Sequence, residues 1–163
     1  MIKIYYYNFK KDNKDFDKYG GLDYIQKEVY KNHPNSWYLI FDSDIILPNN
    51  FVNLIEKINL KDDCIYGALR ANINKSSELF DTKKIIENIG LEICNTFEDR
   101  ILGCFQLYKK KVFHLEFESY NDCSWGDFRF CKNFKKVCNT KTIMIMHLGK
   151  SGEDNWKGKS IDF

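Results

Sequence analysis

Apolar residues change their spacing several times along the chain, and each change predicts an element. Residues 2–9 are rich in β-branched and aromatic side chains and predict a first strand, followed by a polar loop over residues 10–18. After Gly20-Gly21, the residues Leu22, Ile25, Val29 and Tyr30 recur at helical spacing, and His33-Pro34-Asn35 stops that helix. The run Trp37-Tyr38-Leu39-Ile40-Phe41 is apolar without interruption, the pattern of a strand covered on both faces and therefore central in a sheet. Behind Pro48, Asn49 or Asn50 is placed to cap a helix that carries Phe51, Leu54, Ile55 and Ile58 on one face.

Residues 64–69 predict the next strand, and residues 70–99 are polar enough to predict a surface excursion with at most one short helix around residues 83–88. Another strand is expected over residues 101–108. Trp125-Gly126-Asp127 then opens a helix with Phe128, Cys131 and Phe134 inward, and residues 142–146 form a last strand ending at His147. Strands alternating with helices predict an α/β fold: one domain over residues 1–163, with a mixed, mostly parallel sheet flanked by helices. No internal repeat or linker interrupts it.

Composition narrows the classes. A chain of 163 residues with 44% hydrophobic and 16% aromatic content is long and apolar enough for one core, which argues against disorder. Its 25 Lys+Arg nearly balance 23 Asp+Glu, so no global basic field favours nucleic acid, although 8 Lys+Arg against 3 Asp+Glu follow from Arg129 onward. No apolar run approaches the roughly 18 to 20 residues of a membrane span, and the first residues are too polar for a signal peptide, so a cytoplasmic protein is expected. Six cysteines (Cys64, Cys94, Cys104, Cys123, Cys131 and Cys138) form no Cys-x-x-Cys pair, and buried free thiols are expected.

The strongest chemical signal is Phe41-Asp42-Ser43-Asp44-Ile45, two carboxylates at the end of an apolar strand. Side chains two apart in extended backbone point the same way, and ligands of open α/β sheets bind beyond the carboxyl ends of strands. Paired carboxylates suit a hard divalent cation shared with a substrate's phosphates. His147, also at a strand end and followed by Leu148-Gly149, shifts the expected metal from Mg²⁺ toward Mn²⁺.

The ordered set Trp37-Tyr38-Leu39-Ile40-Phe41-Asp42-Ser43-Asp44-Ile45-Ile46-Leu47-Pro48, Gly103-Cys104-Phe105-Gln106-Leu107-Tyr108, Trp125-Gly126-Asp127, His147-Leu148-Gly149 and Asn155-Trp156-Lys157-Gly158 resembles nucleotide-sugar glycosyltransferases of the GT-A fold, nearest the family 2 type. The resemblance covers residues 19–159. It implies a Rossmann-related sheet and a metal-dependent hexosyltransferase that moves a sugar from a nucleoside-diphosphate donor to a hydroxyl of a glycan, lipid-linked or protein acceptor. Carried over residue by residue, it implies that Asp42 contacts the ribose or metal, that Asp44 and His147 bind Mn²⁺ or Mg²⁺, and that Asp127 is the catalytic base of an inverting reaction. Trp125 then stacks on a sugar face, and Lys150 and Trp156 join Asp42 and Asp44 at the nucleotide-sugar. The acidic motif stands far earlier here than is usual in the family, which implies a reduced N-terminal nucleotide-binding segment, completed by a partner chain or oligomer, or a noncatalytic nucleotide- or carbohydrate-binding remnant.

Asp42-Ser43-Asp44 also resembles the nucleophile motif of haloacid-dehalogenase-type phosphatases, but Ile46 replaces the expected Thr or Val. Cys131 stands where the later Gly-Asp-x-x-x-Asp needs its second aspartate. A phosphate-loop reading of Gly149-Lys150-Ser151 fails because Met144 occupies the place of the first glycine.

Overall fold

The computed structural model describes residues 18–42, 44–73, 92–93, 101–116 and 126–148. The expected strand over residues 2–9 lies outside them, as do Trp125, Lys150, Trp156, Cys94 and Cys123.

Helix α1 spans Lys18–Tyr24, continues through a π-helical stretch at Ile25–Val29 and closes with one turn, α2, at Tyr30–Asn32. The amide of Tyr30 donates to the Ile25 carbonyl five residues back, the spacing that defines the wide turn. Gly20 and Gly21, expected to precede the helix, lie inside it. Leu22, Val29 and Tyr30 are buried, as their spacing predicts.

Strand β1 is Trp37–Phe41 and β2 the two-residue strand Ile45–Ile46; α3 follows at Phe51–Glu56. Asn50 stands at the cap position of α3 without a side-chain cap bond; its carbonyl receives the Leu54 amide at 3.0 Å. Strand β3 runs Cys64–Ile73, β4 is Glu92–Ile93, β5 is Phe105–Lys109, α4 is Gly126–Cys131 and β6 is Lys136–Leu148.

The sheet order is β1-β5-β3-β6-β2, with β4 also paired to β3. The fold is α/β and the sheet mixed, but the expected parallel majority is not there. Among the described strands only β3 and β6 are parallel neighbours; β1–β5, β3–β5, β3–β4 and β2–β6 are antiparallel. The reason is β5. It runs backward between β1 and β3, so strands that do share a direction are separated by one that does not. Nor is β1 central: among the described strands it pairs only with β5. Its unbroken apolarity has another cause. Tyr38 and Ile40 pack into a cluster with Leu22, Val29, Tyr30, Ile65, Tyr108 and Phe130, whereas Trp37 and Leu39 pack on the opposite face with Tyr66, Phe105, Leu107, Ile143 and the α3 residues Phe51, Leu54 and Ile55. Helices thus cover both faces of the sheet.

Two strands are longer than their apolar runs. Residues 70–73, expected in a polar excursion, continue β3, where Ala71 and Ile73 are fully buried and Asn72 nearly so. Strand β6 begins six residues before the predicted run over residues 142–146. In α4 the inward ring is Phe130, fully buried, rather than Phe128, which is half-buried with Lys132 Nζ 4.2 Å from its ring centre. Cys131 and Phe134 are buried as expected.

One feature of the sheet builds the site. Four strand spacings of about 4.8 Å separate the ends of the sheet order, yet only residues 42–44 link β1 to β2, a reach of at most about 14 Å. The β3–β6 ribbon must therefore bend back over the end of β1. Its register shifts between Ala68 and Leu69, where the partner jumps from Thr140 to Met144, and such an irregularity supplies the bend.

Candidate functional site at the carboxyl edge of the sheet

Strands β1, β3 and β6 point the same way, so their carboxyl ends share one edge with the start of β5 and of α4. Asp42 follows β1, its amide donating to the Cys104 carbonyl at 3.3 Å just before β5. The Ile45 amide returns to the Asp42 carbonyl at 3.2 Å, closing a tight turn that carries Asp44. Strand β2 then pairs Ile45 with His147 and Ile46 with Met146, and the Leu148 amide donates to the Asp44 carbonyl at 3.0 Å. These bonds bring Asp44 Oδ2 to 3.8 Å from His147 Nε2. His147 is buried and also stands opposite Asn72 of β3.

Two of the sequence-predicted site residues are thus neighbours although 102 positions separate them in the chain. A carboxylate oxygen and an imidazole nitrogen at this spacing suit two adjacent positions around one hard or borderline cation. Asp42 does not complete a ready-made triad: no group of three or more His, Cys, Asp or Glu side chains able to hold a metal stands among the described residues. Two such side chains could hold an ion only as part of a shared site, whose remaining ligands would come from phosphate oxygens and water.

Asp127, in the first turn of α4, is engaged differently. Its Oδ2 accepts the Gly103 amide at 2.8 Å, and its Oδ1 accepts Lys18 Nζ at 2.5 Å and Gln106 Nε2 at 3.4 Å. Lys18 also donates to Gln106 Oε1 at 2.9 Å. Gln106 is completely buried and Lys18 8% exposed, while 26% of the Asp127 side chain remains accessible. A Cβ on Gly103 would lie 2.3 to 2.6 Å from the carboxyl atoms of Asp127, so only glycine lets the carboxylate settle on this amide.

Cys104 ties the two groups together electrostatically. Burial pushes its thiol up to about 12; Asp42 and Asp127 push the same way, and Arg70 opposes them. Asp42, Asp127 and Arg70 therefore all act on one side chain at this edge.

The sequence reading missed Lys18, Gln106, Gly103 and Arg70 as partners. Gln106 and Gly103 stand within the quoted motif around Cys104, where a glutamine inside an apolar strand was the visible signal. Lys18, in a polar loop by pattern, offered none. Trp125, Lys150 and Trp156 lie outside the described residues. Cys131, at the position where a phosphatase pattern needs a carboxylate, is a buried thiol that accepts the Ile101 amide at 3.4 Å; like the buried Cys64 and Cys104 and the half-buried Cys138 it forms no disulfide. Among the described residues no helix is long and apolar enough to cross a membrane.

The buried hydroxyls and thiols give a pH expectation. Burial raises Tyr30 to about 12 and Tyr108 well above its ordinary value; their hydroxyls meet at 3.3 Å. With Cys104, these groups bind their protons more tightly in the folded chain than in the unfolded one. The stability they contribute is complete below their unfolded values, about 8.5 for Cys and 10 for Tyr, and is lost as pH rises toward 12. The melting temperature should fall progressively from pH 8.5 to 11, with the phenolate absorbance of Tyr30 and Tyr108 appearing only on unfolding; phenolate absorbance from all ten tyrosines in the still-folded chain at pH 11 would contradict it.

Searches of protein-family models, of curated proteins and of solved structures find no match to this chain.

Proposed function

We infer that this chain is a glycosyltransferase that moves a sugar from a nucleoside-diphosphate donor to an acceptor hydroxyl. The observation that carries this reading is the meeting of Asp44 with His147, 3.8 Å apart, on the carboxyl edge that also presents Asp42 and Asp127. In open α/β sheets ligands bind beyond the carboxyl ends of like-directed strands, and β1, β3 and β6 share that direction here. Asp44 and His147 would hold Mn²⁺ or Mg²⁺ with Asp42 beside them; the ion, when bound, neutralises the charge of a departing diphosphate. Asp42 orients the nucleotide. Asp127 takes the proton of the attacking hydroxyl on its accessible side, which in a single displacement inverts the sugar's configuration. Acceptors are hydroxyls of a glycan, a lipid-linked sugar or a protein.

A second reading, a noncatalytic nucleotide- or carbohydrate-binding remnant, is favoured by one observation: three donors already occupy the Asp127 carboxylate. Incubation with UDP-, GDP- and dTDP-sugars and Mn²⁺ separates them. An enzyme releases nucleoside diphosphate by transfer or slow hydrolysis, and release stops when the metal is chelated. Binding without release of diphosphate from any donor would leave the remnant reading in its place.

A further inference from the structure

We propose that Lys18 and Gln106 are positioning residues that aim the Asp127 carboxylate; the proposal rests on reading Asp127 as the general base. A carboxylate oxygen offers two acceptor directions. Lys18 Nζ at 2.5 Å and Gln106 Nε2 at 3.4 Å take both directions of Oδ1, while the Gly103 amide at 2.8 Å takes one of Oδ2. One direction on Oδ2 remains, on a side chain that keeps 26% of its surface accessible. That is the geometry of a carboxylate held on three sides and open on the fourth.

The clamp is built from three separate pieces of chain: α1, the turn that leads into β5 together with β5 itself, and α4. Lysine and glutamine are placed in near-complete burial only where partners satisfy them, and each satisfies the other through the 2.9 Å Lys18–Gln106 bond. Lys18 Nζ also lies 4.9 Å from the centre of the Phe130 ring, which fixes the ammonium laterally. Gln106 stands in register with Ile40, two residues before Asp42, so the clamp is tied to the acidic turn through one β1–β5 pair.

A bond that served only to fasten α1 to α4 would leave turnover per folded molecule unchanged when weakened. A positioning clamp lowers kcat and spares donor KM, because the donor contacts assigned to Asp42, Asp44 and His147 lie elsewhere. A misplacement of about 1 Å costs roughly 100-fold.

The test uses the full chain in two variants, Gln106→Leu, which keeps the Lys18–Asp127 pair, and Lys18→Met, which removes it. Steady-state transfer is measured below each melting temperature, and the Gly103 backbone amide resonance reports the carboxylate's position whether or not the protein turns over. The expected result is a kcat lowered about 10- to 100-fold in both variants, donor KM within about twofold of wild type, and a shifted Gly103 amide. Unchanged kcat in both overturns the positioning role. An unshifted Gly103 amide in Lys18→Met overturns it too, since the ammonium would then not be what holds the carboxylate. A wild type that transfers no sugar overturns the reading of Asp127 as a base, a failure distinguishable from failure of the clamp because the amide resonance still shows whether Lys18 holds Asp127.

Discussion

Asp127→Asn is expected to reduce sugar transfer by about 10² to 10⁴, the usual consequence of losing a positioned general base. By sequence the substitution is nearly isosteric and keeps a residue suited to a helix start, so stability should be unaffected. The structure changes that expectation. Lys18, almost wholly buried, has Asp127 as its charge partner at 2.5 Å, and the neutral amide leaves the ammonium uncompensated. Breaking a buried pair costs about 3 to 5 kcal/mol; with 26% of the Asp127 side chain accessible, solvent reduces this to about 2 to 3 kcal/mol. For a chain of this length that is a fall of roughly 5 to 10 °C in melting temperature. Transfer assayed well below the variant's melting point separates the two effects. Full activity in the folded variant would remove Asp127 as base, and an unchanged melting temperature would remove the ion pair as a stabilising contact.

Phe130→Ala should cost about 3 to 5 kcal/mol, among the largest single losses in this core. Phe130 is completely buried, with ring centres at 4.8 Å from Phe113, 5.5 Å from Tyr108 and 5.6 Å from Phe134. Tyr108 and Phe134 meet it edge-on, an arrangement that adds to simple area burial. Truncation leaves a cavity between α4 and β5 that these rigid rings cannot collapse to fill. The same ring underlies Lys18 Nζ, so the loss reaches the carboxylate clamp as well. Chemical denaturation measures the effect. A loss below about 1.5 kcal/mol would show that the cluster repacks freely, contrary to the interlocked packing described above.

Local chemistry made much of this readable in sequence. Trp37–Phe41, the helix after Pro48 and the strand beginning at Cys64 follow their apolar spacing because each covers a core face. Sheet order was not readable from spacing. An apolar run reports cover on both faces, which β1 has while pairing only with β5 among the described strands, and nothing local reports that β5 runs backward between β1 and β3. Asp42, Asp44 and His147 stood out because polar groups at the ends of apolar strands are conspicuous. What joins Asp44 to His147 is β2, two residues long and too short to leave a periodic signal. Lys18 was invisible for a related reason: its burial depends wholly on α1 packing over Phe130, Gln106 and Asp127, residues more than 80 positions away.

The central claim, a nucleotide site organised by a divalent cation at the carboxyl edge, is tested most directly by calorimetry. Uridine and guanosine diphosphates are titrated into wild type and Asp44→Ala, each with and without Mn²⁺. The alanine removes the proposed oxygen ligand beside His147 and leaves the β2–β6 pairing, which is made by backbone, in place. Wild type should bind one of the nucleotides in Mn²⁺, with affinity at least about tenfold weaker when the metal is omitted and a similar loss in Asp44→Ala, equivalent to about 1.4 kcal/mol or more. Equal affinity with and without Mn²⁺, or wild-type affinity in Asp44→Ala, would contradict it.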